Sequence, residues 1–198
     1  MFEIDNSPET MKKFHEWYDG YVNYDRLGKE NIRRGIDTND VACQRKGRKL
    51  CWDAGLFLEG AVGIRLGIKD TNGWTWTKGQ GDWDFTNISS ALRADIKGCR
   101  SEEYGNRIFI EKSTNGIPSG WTKTSSGEDS VNGKMDDYLL YFDTGSFNLF
   151  VLKTSGLIEY LNAKGKKTWG GDKNAAEGWT ISTLMLKKDG YILEEHKL

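Results

Sequence analysis

Residues 81 to 98 read GDWDFTNISSALRADIKG: two acids, a polar turn, and an apolar-flanked run that ends in Asp95-Ile96-Lys97. Side chains alternate faces along a strand. A β-hairpin over this stretch therefore puts Arg93, Asp95 and Lys97 on one face and Leu92, Ala94 and Ile96 on the other. On the preceding strand Asp82 and Asp84 share a face, with Trp83 and Phe85 opposite. One sheet surface then gathers two or three carboxylates and an ammonium, a set of groups suited to a divalent cation and a phosphate. The apolar sides belong to a core.

Working outward, Ser7-Pro8-Glu9 reads as N-cap, first helical position and dipole-favoured acid, and Met11, Phe14, Trp17 and Tyr18 follow at helical spacing. One amphipathic helix is expected there. Residues 19 to 49 are polar and mixed, punctuated by Gly20, Gly28 and Gly35. They concentrate positive charge in Arg33-Arg34 and in Gln44-Arg45-Lys46-Gly47-Arg48-Lys49. From Asp53 to Gly67 the run DAGLFLEGAVGIRLG is too apolar for a surface helix and should be buried, with Glu59 inside it. A buried carboxylate needs a cation or a polar cluster. The competing partner for Glu59 is Arg65 in an ordinary salt bridge.

Thr71-Asn72-Gly73 marks a turn into the β-rich Trp74-Thr75-Trp76-Thr77, and Arg107 to Glu111 alternates as a strand after the hairpin. Residues 112 to 134 read as a long loop fit for substrate contact. Residues 137 to 143 and 147 to 152 form a second hairpin around Thr144-Gly145-Ser146. Ser155 is expected to cap a short helix in a box with Glu159, Lys164 to Lys167 to form a basic loop, and Trp179 to Leu186 to be a last strand. This order predicts an α/β (α+β) chain with one mixed central sheet flanked by helices. It reads as a single domain, 1–198, in three parts: a helical, basic segment over 1–50, a core over 51–112, and hairpin, helix and final strand over 135–198.

At 198 residues the chain is long enough to enclose a core. Its net charge of −1 supplies no global basic field, so nucleic-acid contact requires local cations. Cys43, Cys51 and Cys99 lack metal-type spacing, the N-terminus has no apolar leader, and no run is long enough to span a membrane. A reduced, cytoplasmic setting without a membrane partner is expected. With only His15 and His196, and no GxxxxGK[ST], His-based nuclease, Ser-His or Cys-His and P-loop chemistries are poorly supplied.

An acid on one strand and, across a hairpin, an Asp, one spacer and a Lys resembles the signature of the PD-(D/E)XK nuclease superfamily of restriction enzymes, phage exonucleases and junction resolvases. The stretch DIKGCRSEEYGNRIFIEKSTNGIPSGW is similar to phage-encoded members, where an (E/D)xK strand precedes a "GN-apolar-apolar-E" strand and an "SG" turn. The usual Pro before the first Asp is replaced by Trp83 before Asp84, or by Gly81 before Asp82. A second match, Glu195-His196-Lys197, has no acidic strand before it.

The resemblance implies a restriction-endonuclease-like core and a Mg²⁺-dependent DNA endonuclease, with Mn²⁺ as substitute. Asp84 (or Asp82) and Asp95 would hold the metal, with the Ile96 carbonyl as a further ligand. Lys97 would hold the attacking water or a non-bridging oxygen. Glu59 would face the metal from the preceding helix, and Glu111 is a lesser candidate. From charge clustering, DNA contacts fall to Arg33, Arg34, Arg45, Lys46, Arg48 and Lys49, with Lys166 and Lys167 in addition. Two-strand cutting by one site per chain implies a homodimer, and a viral member would act in the host cytoplasm. Other readings of these residues are a surface ion-pair network, an inactive DNA-binding member of the fold, and a carbohydrate-binding module with Trp74, Trp76 and Trp83 as stacking platform.

Overall fold

A computed structural model describes residues 2–68, 74–77, 84–87, 90, 92–99, 107–114, 116–119, 121, 138–170 and 176–198, without the side chains of Cys99 and Pro118. The chain is mixed α/β, with four helices among the described residues, and forms two compact units, Met1–Lys78 and Gly79–Leu198. No described helix is long and apolar enough to cross a membrane.

In the first unit, α1 (Pro8–Asp37) starts as its sequence dictates, with the Ser7 hydroxyl accepting the Thr10 N–H at 3.3 Å. It then continues for 30 residues, through the glycines expected to interrupt it. Asp40 caps α2 (Val41–Arg65) by accepting the Cys43 N–H at 3.1 Å. A Cβ on Gly28 would stand 2.9 Å from the carbonyl oxygen of Gly47, and one on Gly47 would stand 2.6 Å from that of Gly28. Gly20 meets Phe57, Gly35 meets Gln44 and Gly60 meets Trp17, so the two helices run antiparallel with backbones almost touching. Close packing along this seam outweighs the low helix propensity of Gly, about 1 kcal/mol per residue.

The helix α2 passes straight through residue 50, where the basic segment was expected to give way to the core. Leu58, Ala61, Val62 and Leu66 of the apolar run are buried as expected. Arg65 donates to the Asp5 carbonyl at 2.8 Å and to Asn6 Oδ1 at 3.1 Å, tying the N-terminal segment to the end of α2. The short strand β1 (Trp74–Trp76) also belongs to this unit.

In the second unit the expected hairpin forms. β2 (Phe85–Asn87) pairs antiparallel with β3 (Leu92–Cys99), with Phe85 opposite Ala94. β3 pairs parallel with β6 (Tyr138–Asp143), which makes a hairpin with β7 (Asn148–Lys153), and β7 pairs with β10 (Ile192–Lys197). These strands run in the order β2-β3-β6-β7-β10 in a mixed sheet.

A second, antiparallel sheet has the order β5-β4-β9-β8, from β4 (Ile108–Thr114), β5 (Ile117–Pro118), β8 (Lys166–Gly170) and β9 (Ala176–Ile181). Ile108, Ile110, Trp179 and Ile181 of this sheet form one core with Leu139, Tyr141, Phe150 and Leu152 of the first. That core also takes in Leu157 and Leu161 of α3 (Leu157–Lys164) and Leu186 of α4 (Thr183–Lys188). Leu140, Phe142, Leu149 and Val151, on the opposite face, are buried too. Burial on both faces explains the unbroken apolar runs of β6 and β7.

The expected single sheet is accompanied by a second one. Lys166 and Lys167 open strand β8, opposite Thr180 and Trp179, and are not loop residues. The run from Trp179 does not stay extended to Leu186: β9 stops at Ile181 because Ser182 accepts the Leu184 N–H at 3.3 Å and starts α4. The N-cap of α3 is Gly156, in the left-handed region, with no side-chain capping bond, so the Ser155–Glu159 box is absent. Residues 112–114 continue β4 and Ile117–Pro118 form β5, so the expected loop starts as strand. Positions 122–134 of it lie outside the described residues.

Candidate active site

Asp84, Asp95 and Lys97 come together where β2 enters its pairing with β3. Just before the first paired residue of β2, the Asp84 N–H donates to the carbonyl of Ala94, the residue that Phe85 faces in the ladder, at 3.0 Å. The Asp84 carboxylate then accepts the Ile96 N–H at 2.7 Å through Oδ2, where a regular ladder would use a backbone carbonyl. This side chain is thereby fixed against the residue that separates the other two. Asp82 lies outside the described residues, as does Trp83.

Asp95 is 3% exposed, on the face of β3 that also carries the buried Arg93. Its Oδ1 accepts from Lys97 Nζ at 3.0 Å. Its Oδ2 is buried and has no hydrogen-bond partner among the described residues. A buried carboxylate oxygen without a donor is costly and rare, so it asks for a partner that the described residues do not supply. Lys97 keeps 32% of its side chain accessible. Burial works to lower its pKa, but the charges of Asp95, Asp84 and, more weakly, Glu111 outweigh it and hold the ammonium well above the ordinary lysine range. Lys97 is therefore a fixed positive charge at neutral pH, not a base.

Glu111, weighed as a lesser candidate from sequence, belongs to this electrostatic cluster. Lys97 is in register with Tyr141 of β6, and the Tyr141 hydroxyl accepts the N–H of Phe109, two residues before Glu111 on β4. The fold thus brings β4 beside the hairpin. A bulge between Glu111 and Ser113 re-aims the strand, and Ser119 donates its hydroxyl to Glu111 Oε1 at 2.7 Å. Alternation along β4 identified Glu111 as a face residue, but its nearness to Lys97 depends on the second sheet, which no local pattern announces.

Glu59 stands on α2 in the first unit, half-buried, with Oε2 accepting the Trp76 indole N–H at 2.9 Å. Trp74 is buried against Phe2, with ring centroids 4.9 Å apart, and Trp76 packs edge-on to Trp17. These two indoles serve packing in the first unit and offer no open platform for a sugar. His15 is exposed beside Phe14, while Cys43 and Cys51 form no disulfide among the described residues. The second Glu-x-Lys match lies in β10, where His196 faces Glu194 and Lys197 donates to the Ser146 carbonyl.

All six basic candidates of the first unit are exposed. Arg33, Arg34 and Lys46 line a groove of about 710 Å³ between α1 and α2 that Glu30 and Asp37 also border. Arg34 is held by Asn31 and by Cys43 Sγ, and Lys49 pairs with Asp53 at 2.9 Å. Arg33, Arg45, Lys46 and Arg48 make no ion pair or hydrogen bond among the described residues. Lys166 and Lys167 are exposed on β8, an edge strand.

No three His, Cys, Asp or Glu side chains among the described residues are grouped closely enough to hold a metal ion. The site instead offers the pair Asp84 and Asp95, and a hard cation such as Mg²⁺ is commonly held by one or two carboxylates while keeping several waters. Hard oxygen donors with one buried oxygen unpartnered fit such an ion. Comparison of the chain with protein-family models, curated proteins and solved structures finds no match.

Proposed function

We propose that the chain is a divalent-metal-dependent deoxyribonuclease, on the strength of the buried, unpartnered Asp95 Oδ2 beside Asp84 and Lys97. Asp84 and Asp95 would hold Mg²⁺ or Mn²⁺, with the Ile96 carbonyl as a further oxygen ligand. The ion, when bound, supplies positive charge for the phosphate and lowers the pKa of a coordinated water.

The chain's own residues do the positioning. Asp84 is locked by the Ile96 N–H, so the carboxylate pair needs little rearrangement on binding. Lys97, protonated and partly exposed, would bind a non-bridging phosphate oxygen or orient the attacking water. Glu111 adds negative charge to the same cluster. The fold is read as restriction-endonuclease-like, with β3 between its hairpin partner and a parallel strand.

The test is incubation of the protein with linear, circular and branched DNA, with Mg²⁺ and with EDTA. Cleavage is expected only with the metal, and Asp95→Asn and Lys97→Ala are expected to abolish it while leaving the fold and DNA binding in place. Cleavage retained in either variant overturns the assignment.

A further inference from the structure

The outward face of α2 carries a feature that neither packing nor the metal cluster explains. Val41, Arg45, Arg48 and Trp52 follow one another at spacings of 4, 3 and 4 residues, which on a helix places them in one stripe. The buried residues Cys43, Gly47, Ala54, Leu58 and Ala61 occupy the opposite side of the helix. Trp52 is 60% exposed and Val41 is 56% exposed. Trp52 makes no ring contact or hydrogen bond among the described residues, and neither Arg45 nor Arg48 has an ion-pair partner there. Two turns beyond Trp52 the stripe ends at Glu59, which is half-buried and engaged by the Trp76 indole N–H.

We propose that this stripe is a capture surface for unpaired nucleotides, so that the nucleic acid this protein acts on carries a single-stranded segment. This rests on the reading of DNA as its substrate. Two unpaired guanidinium groups within about 10 Å along the helix from an open indole match a backbone of phosphates with bases beside it. A duplex would satisfy the arginines alone, because an indole finds a stacking partner only where a base is free of its pair. A second copy of the chain fits less well, since docking this face on itself would set Arg45 and Arg48 against cations.

The experiment uses the full chain in EDTA, so that binding is read without cleavage. Fluorescence anisotropy would compare a labelled single-stranded oligonucleotide, a blunt duplex, and the same duplex with a single-stranded overhang. The wild type should prefer the single strand and the overhang. Trp52→Ala should weaken binding to those two about tenfold, with blunt-duplex affinity unchanged, and Trp52→Phe should retain most of it. Paired Arg45→Gln and Arg48→Gln substitutions should weaken all three and flatten the salt dependence.

The proposal is overturned if Trp52→Ala binds single strands as the wild type does, or loses blunt duplex equally. It is also overturned if sedimentation shows a wild-type dimer that Trp52→Ala converts to monomer. Circular dichroism of the variants checks the fold. Absence of cleavage by the wild type with Mg²⁺ would remove the nuclease reading and leave these binding results standing.

Discussion

The Asp84 carboxylate accepts the N–H of Ile96 at 2.7 Å, so an acid just outside β2 is tied to the residue that separates Asp95 from Lys97. The bond makes the spacing of the two acids a property of the strand pairing. Asp84→Asn keeps an acceptor and should cost under about 1 kcal/mol of stability, whereas Asp84→Ala loses a charge-assisted hydrogen bond and should cost about 2 kcal/mol. Both should lose cleavage. Chemical denaturation and a cleavage assay separate the two effects, and a stable, fully active Asp84→Ala would remove Asp84 from the site.

The Asp95–Lys97 pair should behave as one unit. Lys97→Met removes the one bond that Asp95 accepts from a described side chain and should destabilise by about 1–3 kcal/mol, with the Asp95→Asn, Lys97→Met double variant less destabilised than the sum of the singles. Additive effects in denaturant melts would show that the two side chains are not coupled.

The pH dependence of that pair has a definite sign. The folded-state pKa of Lys97 is raised, so its contribution is complete at neutral pH and falls only as pH climbs through the ordinary lysine value, about 10.4, toward the folded one. The stability difference between wild type and Lys97→Met should be flat from about pH 6 to 9 and shrink above about 10.4. A difference that shrinks below about pH 9 would mean that the three carboxylates do not hold the ammonium as described.

Metal binding to the folded state should appear as thermal stabilisation without any substrate. Saturating Mg²⁺ is expected to raise the unfolding midpoint of the wild type by about 5 °C, to leave Asp95→Asn unmoved, and to act less on Glu111→Gln. An equal shift in wild type and Asp95→Asn would place the ion elsewhere.

The helical seam of the first unit makes a prediction of opposite signs. Gly28→Ala or Gly47→Ala puts a methyl against a carbonyl oxygen of the facing helix and should cost at least about 2 kcal/mol. Gly55→Ala, with nothing within 4 Å of its added Cβ, should stabilise α2 by about 0.5–1 kcal/mol. Thermal melts of the full chain followed at 222 nm (a far-ultraviolet helix signal, about 220 nm) would read both.

Taken by itself, the sequence determined whatever depends on neighbours along the chain. Ser7-Pro8 started α1, period-two alternation set the hairpin and put Asp95 and Lys97 on one face, and the apolar run around Leu58 was buried. These are local consequences of capping, pleat and hydrophobicity. The glycines of α1 and α2 misled because a glycine breaks a helix by propensity yet admits a second backbone at contact distance, and only the partner helix decides which applies. Tertiary structure alone also decided that β3 lies parallel to β6, that a second sheet brings Glu111 into the field of Lys97, and that one oxygen of Asp95 is buried without a donor among the described residues. Each of those depends on residues dozens of positions apart meeting in space, and the free energy that joins them comes from packing, which has no signature within a local window of sequence.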